Sequence, residues 1–205
     1  MAVAIYFSVQ KKKAMNVKVS LFVIMLFLLA GLSTRADEYA GVRETIEVCT
    51  GCHGERGAST DESTPILAGQ ELHYLYVQLK DYKSGLRKNE IMGAVVGDLE
   101  KKQLFKLAEY FSKQTWPRIP FKGDPKRVSN GERAANSGQC VACHLGSYTG
   151  NSRIPRLAGQ HPRYLAKTML EMKTKVRNNA PAVSSLIASF SDEEISDMAE
   201  YMGDM

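Results

Sequence analysis

Cys49-Thr50-Gly51-Cys52-His53 and, again, Cys140-Val141-Ala142-Cys143-His144 decide how this chain is read. C-x-x-C-H is the pattern of covalent haem attachment: two thiols add across the haem vinyl groups, and the adjacent histidine turns back to the iron. Two cysteines three apart can reach one porphyrin edge from a single helical turn. A bare C-x-x-C would equally fit a redox dithiol or half a zinc site. Here both copies carry the histidine, and together they use all four cysteines of the chain. A dithiol oxidoreductase needs neither histidine. Zinc held by Cys2His from one short segment leaves no room for the usual spacing of the remaining ligands. The sequence therefore predicts two covalent haem c groups, one on Cys49 and Cys52 and one on Cys140 and Cys143. His53 and His144 are the expected proximal iron ligands.

The likeness between the two regions continues beyond these sites. Pro65-Ile66-Leu67-Ala68-Gly69-Gln70 matches Pro155-Arg156-Leu157-Ala158-Gly159-Gln160 at an offset of 90. Tyr74-Leu75 matches Tyr164-Leu165, Arg87 and Asn89 match Arg177 and Asn179, and Ala108-Glu109-Tyr110 matches Ala199-Glu200-Tyr201 at an offset of 91. One residue has thus been added in the second copy between Asn179 and Tyr201. Two copies at so long a period mean a duplicated domain rather than a solenoid. Each repeat alone has a small core, much of which a buried haem would supply.

Apolar residues at helical spacing predict helices over 71–83, 100–113, 161–174 and 193–202, with 39–48 and 130–139 leading into the haem sites. Residues 54–64 read as loop, and no stretch alternates well enough for a strand. Three prolines between Trp116 and Pro125 mark a stiff linker. The expected division is 1–36, 37–115, a linker at 116–129, and 130–205.

The formal charge of +5 is misleading. Lys11, Lys12, Lys13, Lys18 and Arg35 all lie in 1–36, which has no acidic residue; the remainder carries 22 basic and 22 acidic residues. With that balance, and no interleaving of aromatic and basic residues, nucleic acid is not an expected partner. The basic run, the apolar stretch 19–32 and small Thr34 and Ala36 make 1–36 a secretory signal peptide, with an uncleaved anchor as the alternative. Export suits the chemistry, because covalent haem attachment takes place outside the bacterial inner membrane.

An imidazole on one side leaves the far side of each iron open, and methionine there raises the potential. Met92 is the only methionine between Cys49 and the linker. It stands between the middle and terminal helices, on a stretch expected to be irregular and able to fold over the haem. His73 and His161 are rival ligands, or surface and capping histidines. In the second repeat the match to Met92 is Ala182 counted from the arginine, or Val183 counted from Phe190. Neither side chain can donate to iron. Met169, Met172, Met198 and Met202 fall inside expected helices. The second haem is therefore expected to lack a strong methionine ligand. Pro65 and Pro155 either form turns or offer a neighbouring carbonyl to the proximal imidazole. Arg87 and Arg177 either pair with haem propionates or cap helices. Tyr74, Tyr82, Tyr110, Tyr164 and Tyr201 are expected to line the haem pockets or the contact between repeats.

On both C-x-x-C-H sites, both Leu-Ala-Gly-Gln segments, both Tyr-Leu pairs, Gly85-x-Arg87-x-Asn89 and both Ala-Glu-Tyr ends, residues 37–205 resemble the diheme cytochrome c4 family. The resemblance implies an all-α fold of two tandem class I cytochrome c domains related by a pseudo-twofold axis. It also implies electron transfer in the periplasm, often in association with the inner membrane, between redox partners of a respiratory chain and toward a terminal oxidase or reductase. The family's pattern has a methionine ligand in each domain, and the second repeat departs from it. Two further classes stay open beside an electron carrier. One is a haem enzyme or haem subunit, peroxidase-like or oxidising sulfur compounds, that uses an open iron in the second domain. The other is a ligand sensor.

Overall fold

The computed structural model describes residues 37–205, so the expected signal peptide lies outside the described residues. In the first repeat, α1 (Arg43–His53) carries the attachment motif on its last turns and ends at Gly54. It is followed by α2 (Leu72–Lys83), α3 (Glu90–Val96) and α4 (Lys101–Ser112). The second repeat runs through α5 (Pro125–Ser137), α6 (Val141–His144), α7 (Pro162–Lys173), α8 (Pro181–Ile187) and α9 (Asp192–Gly203). Among the described residues there is one isolated β-bridge, between Asn151 and Ile154, and no strand. No helix among them is long and apolar enough to cross a membrane. Gly41–Met205 packs as a single unit.

Local chemistry sets the boundaries. Glu100 with Gln103 and Ser191 with Glu194 form capping boxes that open α4 and α9. Helix α5 starts at Pro125, inside the expected linker, because the Asp124 carboxylate accepts from the Lys126 and Arg127 N–H groups and proline suits the first helical position. Helices α3 and α8 occupy the stretches expected to be irregular. Seven residues are too few to show a period. The Asn89 side chain caps α3 by accepting from Met92 N at 2.9 Å, and Pro181 opens α8.

The attachment helix is continuous in repeat one and broken in repeat two. Gln139, at φ 51°, takes the left-handed position after α5. Cys140 N then donates to Ala135 O at 3.2 Å and Gln139 N to Asn136 O at 3.0 Å, the bonding of a Schellman stop. The chain restarts as α6.

Leu75, Ala108 and Phe111 centre the core of repeat one, with Cys49, Leu67 and Leu79 against them. Leu165, Met169, Ile187, Phe190, Ile195, Met198 and Met202 centre that of repeat two, with Cys140 against them. Volume is exchanged between the two. Leu67 and Ala68 N–H groups bond Gly57 O, and Leu157 and Ala158 N–H groups bond Tyr148 O, so Gly57 and Tyr148 are equivalent. A Cβ on Gly57 would stand 2.7 Å from the Phe111 ring, whereas buried Tyr148 stacks edge-on against Tyr201, ring centroids 5.8 Å apart. In repeat two α5 crosses α9 so closely that a Cβ on Gly131 would lie 2.0 Å from Asp197 O. Arg127 anchors that crossing, with Nε donating to Asp197 Oδ1 at 2.7 Å and a further pairing to Glu200.

Candidate functional site: two haem attachment sites and the joint between them

Cys49, Cys52 and His53 share the last turns of α1, and Cys140, Cys143 and His144 span the restart at α6. The first cysteine of each pair is half-buried and the second exposed. Burial pushes the Cys49 thiol up to about 11 and raises Cys140 in the same direction. Neither is poised as the thiolate that dithiol exchange needs. Among the described residues no three His, Cys, Asp or Glu side chains converge as metal ligands.

Each histidine is oriented by a proline carbonyl. His53 Nδ1 lies 2.9 Å from Pro65 O, and His144 Nδ1 lies 2.9 Å from Pro155 O. Burial holds both imidazoles below their ordinary range despite these bonds. A neutral ring donating through Nδ1 turns the Nε2 lone pair toward whatever it ligates. Two addable thiols beside such a ring fit covalent haem.

Met92 is half-buried, the third residue of α3. Matching α3 to α8 places Val183, not Ala182, opposite it; Val183 is 36% exposed. Residues from Pro155 through Asn179 keep the offset of 90 while α8 and α9 keep 91, so the added residue is Ala180. The addition has a consequence. Asn89 caps its helix, whereas Asn179 turns toward repeat one and donates through Nδ2 to Gln78 Oε1 at 3.0 Å and Asp81 Oδ2 at 2.7 Å. Met169, Met172, Met198 and Met202 are all buried, Met169, Met198 and Met202 within the core cluster of repeat two.

The two arginines meet in one buried network between the repeats. Arg87 donates to Gln78 Oε1 at 2.9 Å and Tyr164 Oη at 3.1 Å; Arg177 donates to Gln78 Oε1 at 2.9 Å and Tyr74 Oη at 3.4 Å. Arg87 also lies 4.6 Å over the Tyr82 ring. Burial would raise the Tyr164 phenol, but Arg87 and Arg177 outweigh it and hold the phenol below its ordinary range. The network holds two guanidinium groups and one carboxyl group, that of Asp81, which accepts from Asn179. That excess of buried positive charge suits haem propionates.

The sequence offers no role for Gln70 and Gln160, and reads His161 as a rival ligand or a surface or capping histidine. His161 is buried with Nε2 2.9 Å from Ser59 O in the other repeat, while His73 is exposed on α2. Gln70 and Gln160 reach across reciprocally. Gln160 accepts from Ile66 N at 3.0 Å and donates to Ile66 O at 3.0 Å; Gln70 accepts from Arg156 N at 2.8 Å and donates to Arg156 O at 3.0 Å. The signal was present as a glutamine kept in both Leu-Ala-Gly-Gln segments. Gly69 and Gly159, at φ 68° and 70°, supply the left-handed turns that aim these glutamines. Trp116 of the connecting segment lies under Arg156, whose guanidinium is 4.6 Å from its ring.

Known proteins resemble the chain in sequence and fold. The chain is 32% identical to cytochrome c4 of Thiocapsa roseopersicina over 81% of this chain and 91% of the relative. It is 28% identical to a "Thiosulfate dehydrogenase electron acceptor" of Stutzerimonas stutzeri over 80% of this chain and 82% of the relative. The crystal structure of reduced recombinant cytochrome c4 from Pseudomonas stutzeri superposes with a TM-score of 0.73 at 28% identity, covering 83% of this chain and all of the other. The family described as cytochrome C oxidase, cbb3-type, subunit III matches residues 126–202.

Proposed function

The chain belongs to the cytochrome c4 family, a diheme c-type electron carrier, and from that premise we propose that it passes single electrons between respiratory partners in the periplasm, toward a terminal oxidase or reductase. We assign the signal peptide to 1–36 and the haem domains to 37–115 and 130–205. His53 and His144 are the proximal ligands, Met92 the distal ligand of the first haem, and Arg87 and Arg177 the propionate partners. The observation that carries the reading is the repeated pair of histidine and proline carbonyl, His53 with Pro65 and His144 with Pro155.

Bound haem c supplies one-electron exchange between ferric and ferrous iron. The chain's task is to let that exchange occur with little rearrangement. Pro65 and Pro155 fix the imidazoles, buried Leu75 and Leu165 stand where water is excluded, and the Gln78, Arg87 and Arg177 network keeps the two repeats in one relation.

Two observations favour finer readings. The likeness to a thiosulfate dehydrogenase electron acceptor favours a sulfur-oxidising enzyme as the donor. Val183 in the place of Met92 favours a second iron open to small ligands, which is the feature an enzyme would use. The reduced holoprotein should be oxidised by membranes bearing a cbb3-type oxidase, and purified protein should not turn over peroxide or thiosulfate by itself. Sustained turnover of either without a partner would make it an enzyme.

A further inference from the structure

Pro65 and Ile66 share one peptide group. Its carbonyl accepts from His53 Nδ1 at 2.9 Å, and its N–H donates to Gln160 Oε1 of the other repeat at 3.0 Å. The Pro155–Arg156 peptide does the same in reverse: its carbonyl lies 2.9 Å from His144 Nδ1, and its N–H donates to Gln70 Oε1 at 2.8 Å. Each proximal histidine is therefore one peptide plane away from a glutamine of the opposite repeat. Both glutamines are buried, at 4% and 3% exposure, and their oxygens also accept from the next N–H of their own chain, Glu71 or His161, so they are held in place.

The amide is conjugated, so charge drawn through its N–H gathers on its oxygen. A hydrogen bond at one end strengthens the bond at the other. A better acceptor at Nδ1 makes the imidazole a stronger donor at Nε2. A stronger donor favours ferric over ferrous iron and lowers the potential.

We infer that Gln160 tunes the haem held by Cys49 and Cys52, and Gln70 the haem held by Cys140 and Cys143, each as a positioning residue acting across the joint. The inference rests on the two histidines being proximal ligands. Buried polar pairs often serve only to fasten surfaces together, and fastening alone would affect both haems alike. The crossed pattern separates tuning from fastening.

The test uses holoprotein with Gln160→Leu, Gln70→Leu and Gln160→Glu, each titrated by redox potentiometry. The proton NMR resonances of the two haems are assigned beforehand by their individual shifts in Met92→Ala and Val183→Met proteins. Gln160→Leu should raise the potential of the first haem and move its His53 Nδ1–H resonance, with a smaller change at the second. Gln70→Leu should do the converse. Gln160→Glu keeps an acceptor oxygen facing Ile66 N–H, so it should leave the first potential at or below the wild-type value. Equal shifts at both haems, a shift only in the variant's own repeat, or a rise with Gln160→Glu matching that of Gln160→Leu would overturn the inference. A pyridine haemochrome count below two haems per wild-type chain would instead defeat the cofactor reading beneath it.

Discussion

Met92 and Val183 hold the same place in the two repeats: each is the third of seven residues in the short helix between the middle and terminal helices. On the proposed assignment, thioether attachment and a proline-held histidine make the two haem sites alike on one side, and this pair makes them unlike on the other. Removing the thioether from the first should lower that haem's potential by a visible part of the ~0.8 V that axial ligands command. With Met92→Ala the weak ferric charge-transfer band near the red edge of the visible spectrum should vanish. Persistence of both band and potential would make Met92 a packing residue.

The second site should behave as the open one. One carbon monoxide per chain should bind the reduced protein, and ferric protein should give one high-spin and one low-spin EPR signal. Val183→Met should abolish the uptake and raise the second potential. Two low-spin signals and no uptake in the wild type would mean that one of the buried methionines, Met169 or Met172 first, serves as ligand.

Gln78 Oε1 accepts from Arg87, Arg177 and Asn179. Replacing it with leucine takes one acceptor from each of two buried guanidinium groups and from an amide. Gln78→Leu should cost about 3 kcal/mol, the upper end for an unsatisfied buried partner and more where that partner is charged. Guanidinium denaturation of holoprotein would measure it. A loss under about 1 kcal/mol would show that other groups, propionates among them, carry the arginines.

Gly131 lies where α5 crosses α9 with no space for a methyl group. Because the obstruction is backbone, Gly131→Ala must push the helices apart. That should cost about 1–3 kcal/mol, outweighing alanine's better helix propensity. An unchanged unfolding midpoint would show that the crossing shifts freely.

Local signals were readable from the sequence and reciprocal ones were not. The attachment motifs, the helical period through Leu104, Leu107 and Phe111, and the offset between repeats all lie within short windows, where covalent chemistry or burial leaves a pattern. Helices α3 and α8 were missed because their length is below two full periods. The arginines were read as propionate partners or helix caps, but Arg87 reaches Tyr164 across the repeat boundary and Arg177 reaches Gln78 and Tyr74. Gln160 meets Ile66 across 94 residues, and a contact of that span leaves no periodic trace. Only the repetition of Leu-Ala-Gly-Gln pointed to it. Asn179 changed partners because Ala180 was added after it, a shift of register that composition does not reveal.

The exchange of Gln70 and Gln160 across the joint has the form of an isologous contact, in which each side carries both the plug and the socket. A single copy of such a repeat would be complementary to itself. The present chain thus has the form of a pseudosymmetric dimer written as one polypeptide, and Trp116 belongs to the tether that makes the pairing independent of concentration. Once joined, the copies were released from identity. Ala180, Val183 and the exchange of Gly57 for Tyr148 are asymmetries that a true homodimer has no means of placing on one partner alone.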